Sequence, residues 1–148
     1  MENRPKGAIG VYVINKQNQL LLLLRTSPHG KGTWAPTGGH IEYGESFFDA
    51  ARRESLEESG IDVTKIEVMG VTSNVYDKEK KHYITVHVKA LKYKGKEKLM
   101  EPEKASEIKW VDLDKLPKNM FPSNISFFAL NPLCLCDSGK KWKNCHGK

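Results

Sequence analysis

The alternation of apolar and polar positions along the chain predicts several strands and one amphipathic helix. Five leucines fill positions 20–24 without a polar face, so this segment is expected to be a strand that is buried on both sides. Residues 26–36 contain two prolines and two glycines, which predicts a loop. The predicted strands cover residues 7–14, 20–24, 66–76, 82–93 and 108–111.

The main helix is predicted over residues 47–59, with Ser46 as its N-cap and Gly60 as its C-terminal stop. A second short helix is predicted at 121–130 and a single helical turn at 112–117. Strands before and after one helix predict an α+β layered fold. The side of the main helix expected to pack on a sheet consists of Phe48, Ala51, Ser55 and Leu56.

Length and composition are those of a globular protein with its own core. The chain has 148 residues, with 39% hydrophobic and 28% charged residues, which argues against a disordered chain. It has no run of 18 apolar residues, so no transmembrane segment is expected, and its first residues lack the apolar core of a signal peptide. A cytoplasmic protein is the resulting expectation. The net charge of +6 is concentrated in the C-terminal tail, so it does not by itself indicate nucleic-acid binding.

The main helix carries an unusual acidic face. Glu54, Glu57 and Glu58 fall within an arc of about 100°, and they lie in the C-terminal half of the helix, where the dipole disfavours anions. Like charges at these spacings cost a few tenths of a kcal/mol per pair. A divalent cation with oxygen ligands would compensate, and Mg²⁺ is the usual one beside phosphates. This face is therefore predicted to be a metal site.

Residues 39–61 follow the pattern G-x5-E-x7-R-E-x-x-E-E-x-G-I. This pattern resembles the Nudix box of the MutT-type hydrolases, and the similarity extends more weakly over residues 7–117. The resemblance implies an α/β/α sandwich and a hydrolase that uses Mg²⁺ or Mn²⁺ to cleave a nucleoside diphosphate linked to another group. Two positions depart from the family pattern: Ser55 replaces an aliphatic residue, and Pro36 comes one place early.

The resemblance also implies roles for individual residues. Arg53 would orient Glu54 through a charge-assisted hydrogen bond. The general base is expected in the loop before the last strand, where Glu103 is favoured over Glu101 and Glu107, with the box carboxylates as alternatives. The substrate side of the site is assigned to Arg25, Gly39 and Glu45. The predicted metal ligands are the main-chain carbonyl of Gly38 and the carboxylates of Glu54, Glu57 and Glu58.

The favoured substrate is a nucleoside triphosphate, cleaved to the monophosphate and pyrophosphate. ADP-ribose, dinucleoside polyphosphates and nucleotide sugars are the alternatives within the family. A non-catalytic nucleotide- or RNA-sensing module and a hydrolase of modified RNA ends are the remaining hypotheses. Tyr76 is weighed as a marker of dinucleoside polyphosphate hydrolases. Aromatic residues that could stack on a base, although core packing is the expected role of each, are Tyr12, Trp34, Phe48 and Tyr83.

The tail contains a second pattern, C-x-C-x8-C-H, which resembles the SEC-C motif. A segment this short cannot bury a core of its own, and three cysteines do not make a disulfide framework. A tetrahedral structural Zn²⁺ site is predicted instead. The chain is accordingly divided into a hydrolase domain at 1–131 and a zinc knuckle at 132–148. The predicted zinc ligands are Cys134, Cys136, Cys145 and His146.

The lysines of the zinc knuckle suggest an interaction surface. Among possible partners a protein is favoured, and nucleic acid or phospholipid is less favoured. The alternative is that the lysines only offset the charge of the zinc thiolates.

Overall fold

A computed structural model describes residues 3–148 as two β-sheets with helices packed against them. No helix in this described part of the chain is both long and apolar enough to cross a membrane. Short 3₁₀ helices lie at Leu113–Lys115 and Trp142–Asn144. The helices are α1 (Phe47–Ser59) and α2 (Pro122–Ala129). The strands are β1 (Lys6–Tyr12), β2 (Gln19–Arg25), β3 (Trp34–Ala35), β4 (Thr37–His40), β5 (Asp62–Tyr76), β6 (Lys81–Lys94) and β7 (Ala105–Asp112).

The two sheets differ in composition and direction. The first has the order β4-β1-β6-β5, in which β1 runs parallel to β6 and antiparallel to β4, and β5 is antiparallel to β6. The second has the order β3-β2-β7 and is antiparallel throughout. Helix α1 packs on β1, β4 and β5, and α2 packs on β5. The predicted α+β layered fold is confirmed.

Strand β2 lies between two hydrophobic clusters. Leu21 packs into the first cluster with residues of α1 and β1, whereas Leu20 and Leu22 pack into the second with Tyr12 and Phe127. Because neighbouring side chains of a strand point to opposite faces, a strand between two cores has no polar face. This arrangement explains the run of leucines and confirms that the strand is buried on both sides.

The prediction of which residues of α1 pack on the sheet is wrong for Leu56. Leu56 is exposed and Phe48 is only half-buried, while Ala51 and Ser55 are buried as expected. The full set of buried residues consists of small side chains, which allows the helix to approach the sheet closely: Ala50, Ala51, Ser55 and Ser59. Ser46 and Gly60 cap the helix as predicted, since Ser46 Oγ accepts the Asp49 N–H and Gly60 adopts a left-handed conformation.

Several strand boundaries differ from the prediction. Strand β5 begins at Asp62 rather than at residue 66, and register shifts near Val63, Lys65 and Val68 interrupt its alternation of side chains. The short strands β3 and β4 were not predicted, because glycines and a proline at 36 hide them in a loop-like composition.

A buried polar chain connects α2 to the first sheet. Asn124 Nδ2 donates to Tyr12 Oη at 2.8 Å, and Tyr12 Oη lies 2.8 Å from His87 Nδ1. His87 Nε2 lies 2.8 Å from Thr72 Oγ1. Burial lowers the pKa of His87 to about 4, so its ring is neutral near pH 7. The Tyr12 hydroxyl then donates to His87 Nδ1, and His87 Nε2–H donates to Thr72.

This chain of buried hydrogen bonds through His87 predicts a measurable loss of stability in acid. His87 takes up a proton with a pKa near 6.5 when unfolded but only near 4 when folded, so its stabilising effect is lost as the pH falls between these values. Wild type is expected to lose about 2 kcal/mol more free energy of unfolding than His87→Gln between about pH 7 and about pH 4.5. Urea unfolding at several pH values measures this difference. His82→Gln, at a half-buried position on β6, is the control, and identical pH slopes for wild type and His87→Gln would contradict the prediction.

Candidate functional site

A cavity of about 380 Å³ opens between α1, β4 and the loops that precede β7 and α2. Its lining has two chemically different ends. Carboxylates of α1 and of the loop before β7 form one end, and aromatic rings from the β5–β6 hairpin and neighbouring loops form the other. Arg25, at the end of β2, also lines this cavity. The cavity therefore combines acidic, basic and aromatic surface in one space.

Arg53 is the centre of a dense hydrogen-bond network on α1. Its Nε and Nη2 donate to the two carboxylate oxygens of Glu45 at 2.7 and 2.9 Å, and its Nη1 donates to Glu54 Oε1 at 2.8 Å. Nη2 also donates to the main-chain carbonyl of His40 at 2.9 Å. These bonds raise the pKa of Arg53 and lower the pKa of Glu45 to about 2. The geometry fixes the Glu54 carboxylate in place, as a residue that orients a metal ligand would.

Two of the three predicted acidic ligands line the cavity. Burial raises the pKa of Glu54, and it raises that of Glu58 to about 8 against the opposing effect of a hydrogen bond from Gly38 N at 2.7 Å. Glu57 is half-exposed, does not line the cavity, and contacts Arg53 Nη1 at 3.4 Å. Two buried carboxylates this close together need a positive charge to remain ionised. A divalent cation held by oxygen ligands fits that requirement.

Both glycines at the start of the box are required by close contacts. A Cβ on Gly39 would overlap the Glu54 carboxylate, and a Cβ on Gly38 would overlap the main-chain oxygen of Ile9. Any larger residue would therefore displace either the acidic side chain or strand β1.

Arg25 is a half-buried cation that is available to an anionic ligand. Its Nε and Nη2 donate to the main-chain carbonyl of His29 at 3.0 and 2.8 Å, and its guanidinium lies 4.7 Å from the centre of the Phe121 ring. Within residues 3–148 it forms no salt bridge with a carboxylate. Two lysines that sequence reasoning missed, Lys81 and Lys104, add further positive charge to the cavity lining. The Nζ of Lys104 lies 3.3 Å from Glu101 Oε2.

The loop before β7 brings Glu101, rather than the favoured Glu103, to the cavity. Residues 101–104 form a turn, in which Lys104 N donates to the Glu101 carbonyl at 2.9 Å. Glu101 lines the cavity on this turn. Glu103 and Glu107 are exposed and do not line it. Sequence spacing alone could not separate the three, because the orientation of a turn depends on its tertiary contacts.

The aromatic end of the cavity centres on His29. Its ring lies 4.6 Å from the centre of Tyr76, 5.5 Å from Tyr83 and 5.3 Å from Phe121. The hydroxyls of Tyr76 and Thr37, both in the lining, are buried and have no hydrogen-bond partner among the described residues. A polar ligand in the cavity could satisfy them.

The structure separates the aromatic residues that had been considered for base stacking. Tyr12 and Trp34 are buried in the second cluster, as expected for core residues, and Phe48 does not line the cavity. Tyr83 does line it, together with Tyr76. His29, in the predicted loop at 26–36, and Phe121, at the start of the predicted helix at 121–130, were missed. The sequence did contain one signal for this wall: Tyr76 and Tyr83 lie on either side of the β5–β6 turn.

The C-terminal tail forms a separate candidate metal centre. The ligand atoms of its cysteines and histidine all lie within 4.8 Å of one another. Cys136 Sγ and Cys145 Sγ are 3.5 Å apart, close to the separation of about 3.8 Å that follows from tetrahedral Zn–S bonds of about 2.3 Å. His146 Nδ1 lies 3.3 Å from the sulfurs of Cys134 and Cys145. This cluster could hold a zinc ion.

Comparison with known proteins gives two family matches that together span the chain from residue 4 onward. The NUDIX domain model matches residues 4–130, and the SEC-C motif model matches residues 131–148. The chain is 32% identical over 122 residues to the oxidized purine nucleoside triphosphate hydrolase of Danio rerio, covering 80% of this chain and 74% of that protein. It is 35% identical over 109 residues to the ADP-ribose pyrophosphatase of Methanocaldococcus jannaschii, covering 74% and 63%.

Solved structures show the same fold. The crystal structure of a MutT NUDIX hydrolase from Burkholderia pseudomallei superposes with a TM-score of 0.77 at 23% identity, over 84% of this chain and 96% of that one.

Proposed function

This chain belongs to the Nudix hydrolase family, whose members act on phosphoric anhydride bonds of nucleotides, and we propose that it cleaves nucleoside triphosphates to the monophosphate and pyrophosphate. The observation that carries this proposal is the cavity itself. Its lining combines the partly buried carboxylates of Glu54 and Glu58, a group of aromatic rings and the guanidinium of Arg25. A triphosphate has the matching chemistry: anionic phosphates at one end and an aromatic base at the other.

The acidic end fits a divalent cation. The proposed holders are the carboxylates of Glu54, Glu57 and Glu58 with the carbonyl of Gly38, and a bound Mg²⁺ would neutralise phosphate charge and activate water. Mn²⁺ would serve the same purpose. The buried pair at 54 and 58 supports this assignment most directly, because burial raises the pKa of both carboxyls. Arg53 holds Glu54 and Glu45 in position, and Gly39 keeps the space that Glu54 occupies.

For the general base we propose Glu101 in place of Glu103, which the sequence analysis favoured. Its carboxylate accepts a proton from the attacking water, whose oxygen forms a new bond to phosphorus while pyrophosphate leaves. Its place in the cavity lining, near Glu58, supports this role. Lys104 contacts the Glu101 carboxylate and holds it in position. Arg25 is proposed to bind a substrate phosphate.

The triphosphate is favoured over the alternatives by the shape of the aromatic end and by the relatives. A single aromatic wall, built from His29, Tyr76, Tyr83 and Phe121, suits a single base. The relative from Danio rerio is named for oxidized purine nucleoside triphosphates. ADP-ribose is the second candidate, because the Methanocaldococcus relative is named for it.

A substrate panel with product identification tests the proposal. The panel contains the nucleoside triphosphates, 8-oxo-dGTP, ADP-ribose, diadenosine tetraphosphate, a nucleotide sugar and a capped RNA oligonucleotide, each with and without Mg²⁺. We expect the highest kcat/KM with a triphosphate, and pyrophosphate rather than phosphate as the product. A higher value for ADP-ribose or capped RNA would overturn the substrate assignment. Nucleotide binding without turnover of any compound would favour a sensing module instead.

For the tail we propose a structural Zn²⁺ bound by Cys134, Cys136, Cys145 and His146. The compact arrangement of the four ligand atoms supports this site, and the division of the chain at 131 and 132 follows from it. The exposed lysines at 140, 141, 143 and 148 keep a protein partner as the favoured interaction of this segment.

A further inference from the structure

The tail is packed into the body of the protein instead of projecting from it. Leu135 is 1% exposed and belongs to the second hydrophobic cluster, beside Tyr12, Leu20 and Leu113. It lies between the first two cysteines of the tail, so the metal-binding segment itself supplies a core residue. An appended docking module would bury its apolar residues within the module. Here the body and the tail share one core.

Aromatic stacking joins the tail to α2. The ring of Trp142 lies 4.4 Å from the ring of Phe128, near the C-terminal end of that helix. The main chain of Trp142 is tied to the metal-binding segment, because its carbonyl accepts hydrogen bonds from Cys145 N at 3.1 Å and Gly147 N at 2.8 Å. A Cβ on Gly147 would collide with the indole ring. The position of the indole is therefore set by the loop that carries the last two ligands.

Further contacts fix the point where α2 ends and the tail begins. Asn131, in a left-handed conformation, accepts the Lys143 N–H through its Oδ1 at 2.8 Å. Trp142 N donates to the Pro132 carbonyl at 2.7 Å. Lys89, a buried lysine of β6, pairs with Asp137 in the loop between the second and third cysteines. Each of these bonds requires the tail to hold its present shape.

The opposite end of α2 forms part of the cavity wall. Phe121, Ser123 and Asn124 line the cavity. Asn124 donates to the Tyr12 hydroxyl, and the Tyr12 ring lies 6.0 Å from that of Phe128. A continuous set of contacts thus runs from Trp142 through Phe128 and α2 to the aromatic end of the cavity. Neither α1 nor β4, which carry the box, takes part in it.

We propose that the zinc knuckle is a structural component of the substrate site, in which Trp142 acts as a positioning residue for α2. A tail of this length has no core of its own, so four zinc ligands are what holds its loop in one conformation. With the loop ordered, Trp142 packs against Phe128 and holds α2 in place. Because the other end of α2 lines the cavity, the cavity wall is held in place as well. Without an ordered loop, α2 loses packing on its outer side and the wall opens more often.

The first test measures hydrogen exchange in the full-length chain, whose zinc content is checked by elemental analysis. Trp142→Ala is compared with wild type and with Lys140→Ala, a matched control whose side chain is exposed on the same tail. We expect amides of α2 to exchange about 10-fold faster in Trp142→Ala, with α1 and the control unchanged. Trp142→Phe should restore most of the protection, because a ring again covers Phe128.

Two outcomes would overturn the inference. Unchanged exchange in α2 would show that the tail does not support the helix. Equal acceleration in α1 and α2 would show a global loss of stability, not support of one wall. Removing zinc by chelation, followed by return of Mg²⁺, should reproduce the Trp142→Ala pattern in a chain of unaltered sequence.

The kinetic consequence rests on the proposed triphosphate hydrolysis, whereas the exchange experiment does not. Because α2 forms the aromatic end and not the acidic end, Trp142→Ala is expected to raise KM about 10-fold with kcat changed less than about 2-fold. A fall in kcat at constant KM would contradict the inference. If wild type cleaves no nucleotide, the proposed function fails, and the exchange pattern alone decides whether the tail supports α2.

Discussion

Replacing Glu58 by Gln is expected to lower kcat by about 10³-fold while the protein stays folded. The amide oxygen can still accept the hydrogen bond from Gly38 N, and the change in volume is small. What the variant loses is a negative charge at the acidic end of the cavity. Metal ions contribute several kcal/mol of charge stabilisation to such reactions, and a loss of about 4 kcal/mol corresponds to about 10³-fold in rate.

The stability of Glu58→Gln is not expected to fall together with its rate. In the metal-free protein burial raises the pKa of the Glu58 carboxyl to about 8, so near pH 7 folding has to take up a proton there, at a cost in free energy. A glutamine amide carries no such cost, so the thermal midpoint of Glu58→Gln is expected to be unchanged or higher in the absence of Mg²⁺. Pyrophosphate release and a thermal melt with and without Mg²⁺ measure the two effects. Glu67→Gln, at an exposed position on β5, is the control.

A Glu58→Gln enzyme with full activity would remove this carboxylate from the reaction. A variant that is inactive and also unfolded would show that the residue supports the structure, and the role in metal binding would then need another test. The combination we expect, strong loss of rate with stability retained, separates these explanations.

The helix that carries the box was predicted closely because local signals agree there. Ser46 as N-cap and Gly60 as C-terminal stop favour the same boundaries, and the structure has the helix at Phe47–Ser59. The face that packs on the sheet was harder to predict. Leu56 was expected inside because it is apolar, yet the buried side chains of the helix are all small and Leu56 is exposed.

The limits of the sequence are clearest in the lining of the cavity. The box residues sit on one helix and one strand, so spacing alone brought them together. Arg25, Tyr76, Glu101 and Phe121 meet there only because two sheets and three loops converge. No local pattern encodes such a meeting, which depends on the registers of β1 against β4 and of β2 against β7.

The tail shows a different kind of limit. The cysteine and histidine spacing predicted that these four side chains come together, because four residues within a short segment can meet without the rest of the protein. The position of Leu135 in the second core was not predicted. A single leucine between two cysteines has no periodicity, so its burial is visible only once the tail lies against the body.

Glu101→Gln and Glu103→Gln form the most direct comparison of the candidate bases. Both are surface-loop glutamates separated by a single residue, but only Glu101 lines the cavity. Loss of a general base lowers the rate by about 10²- to 10⁴-fold, so we expect a fall of at least about 10² in kcat for Glu101→Gln. For Glu103→Gln, whose side chain is exposed, kcat should stay within about 2-fold of wild type.

The pH dependence of kcat distinguishes a base from a residue that only orients Lys104. Loss of the base is expected to remove the acidic limb of the profile, because no carboxylate then has to lose its proton before water is attacked. A Lys104→Ala variant tests the other role: it removes the cation but keeps the carboxylate, so it should retain that limb. If Glu103→Gln proves the slower of the two glutamine variants, the turn at 101–104 must rearrange when substrate binds, and Glu103 is the base.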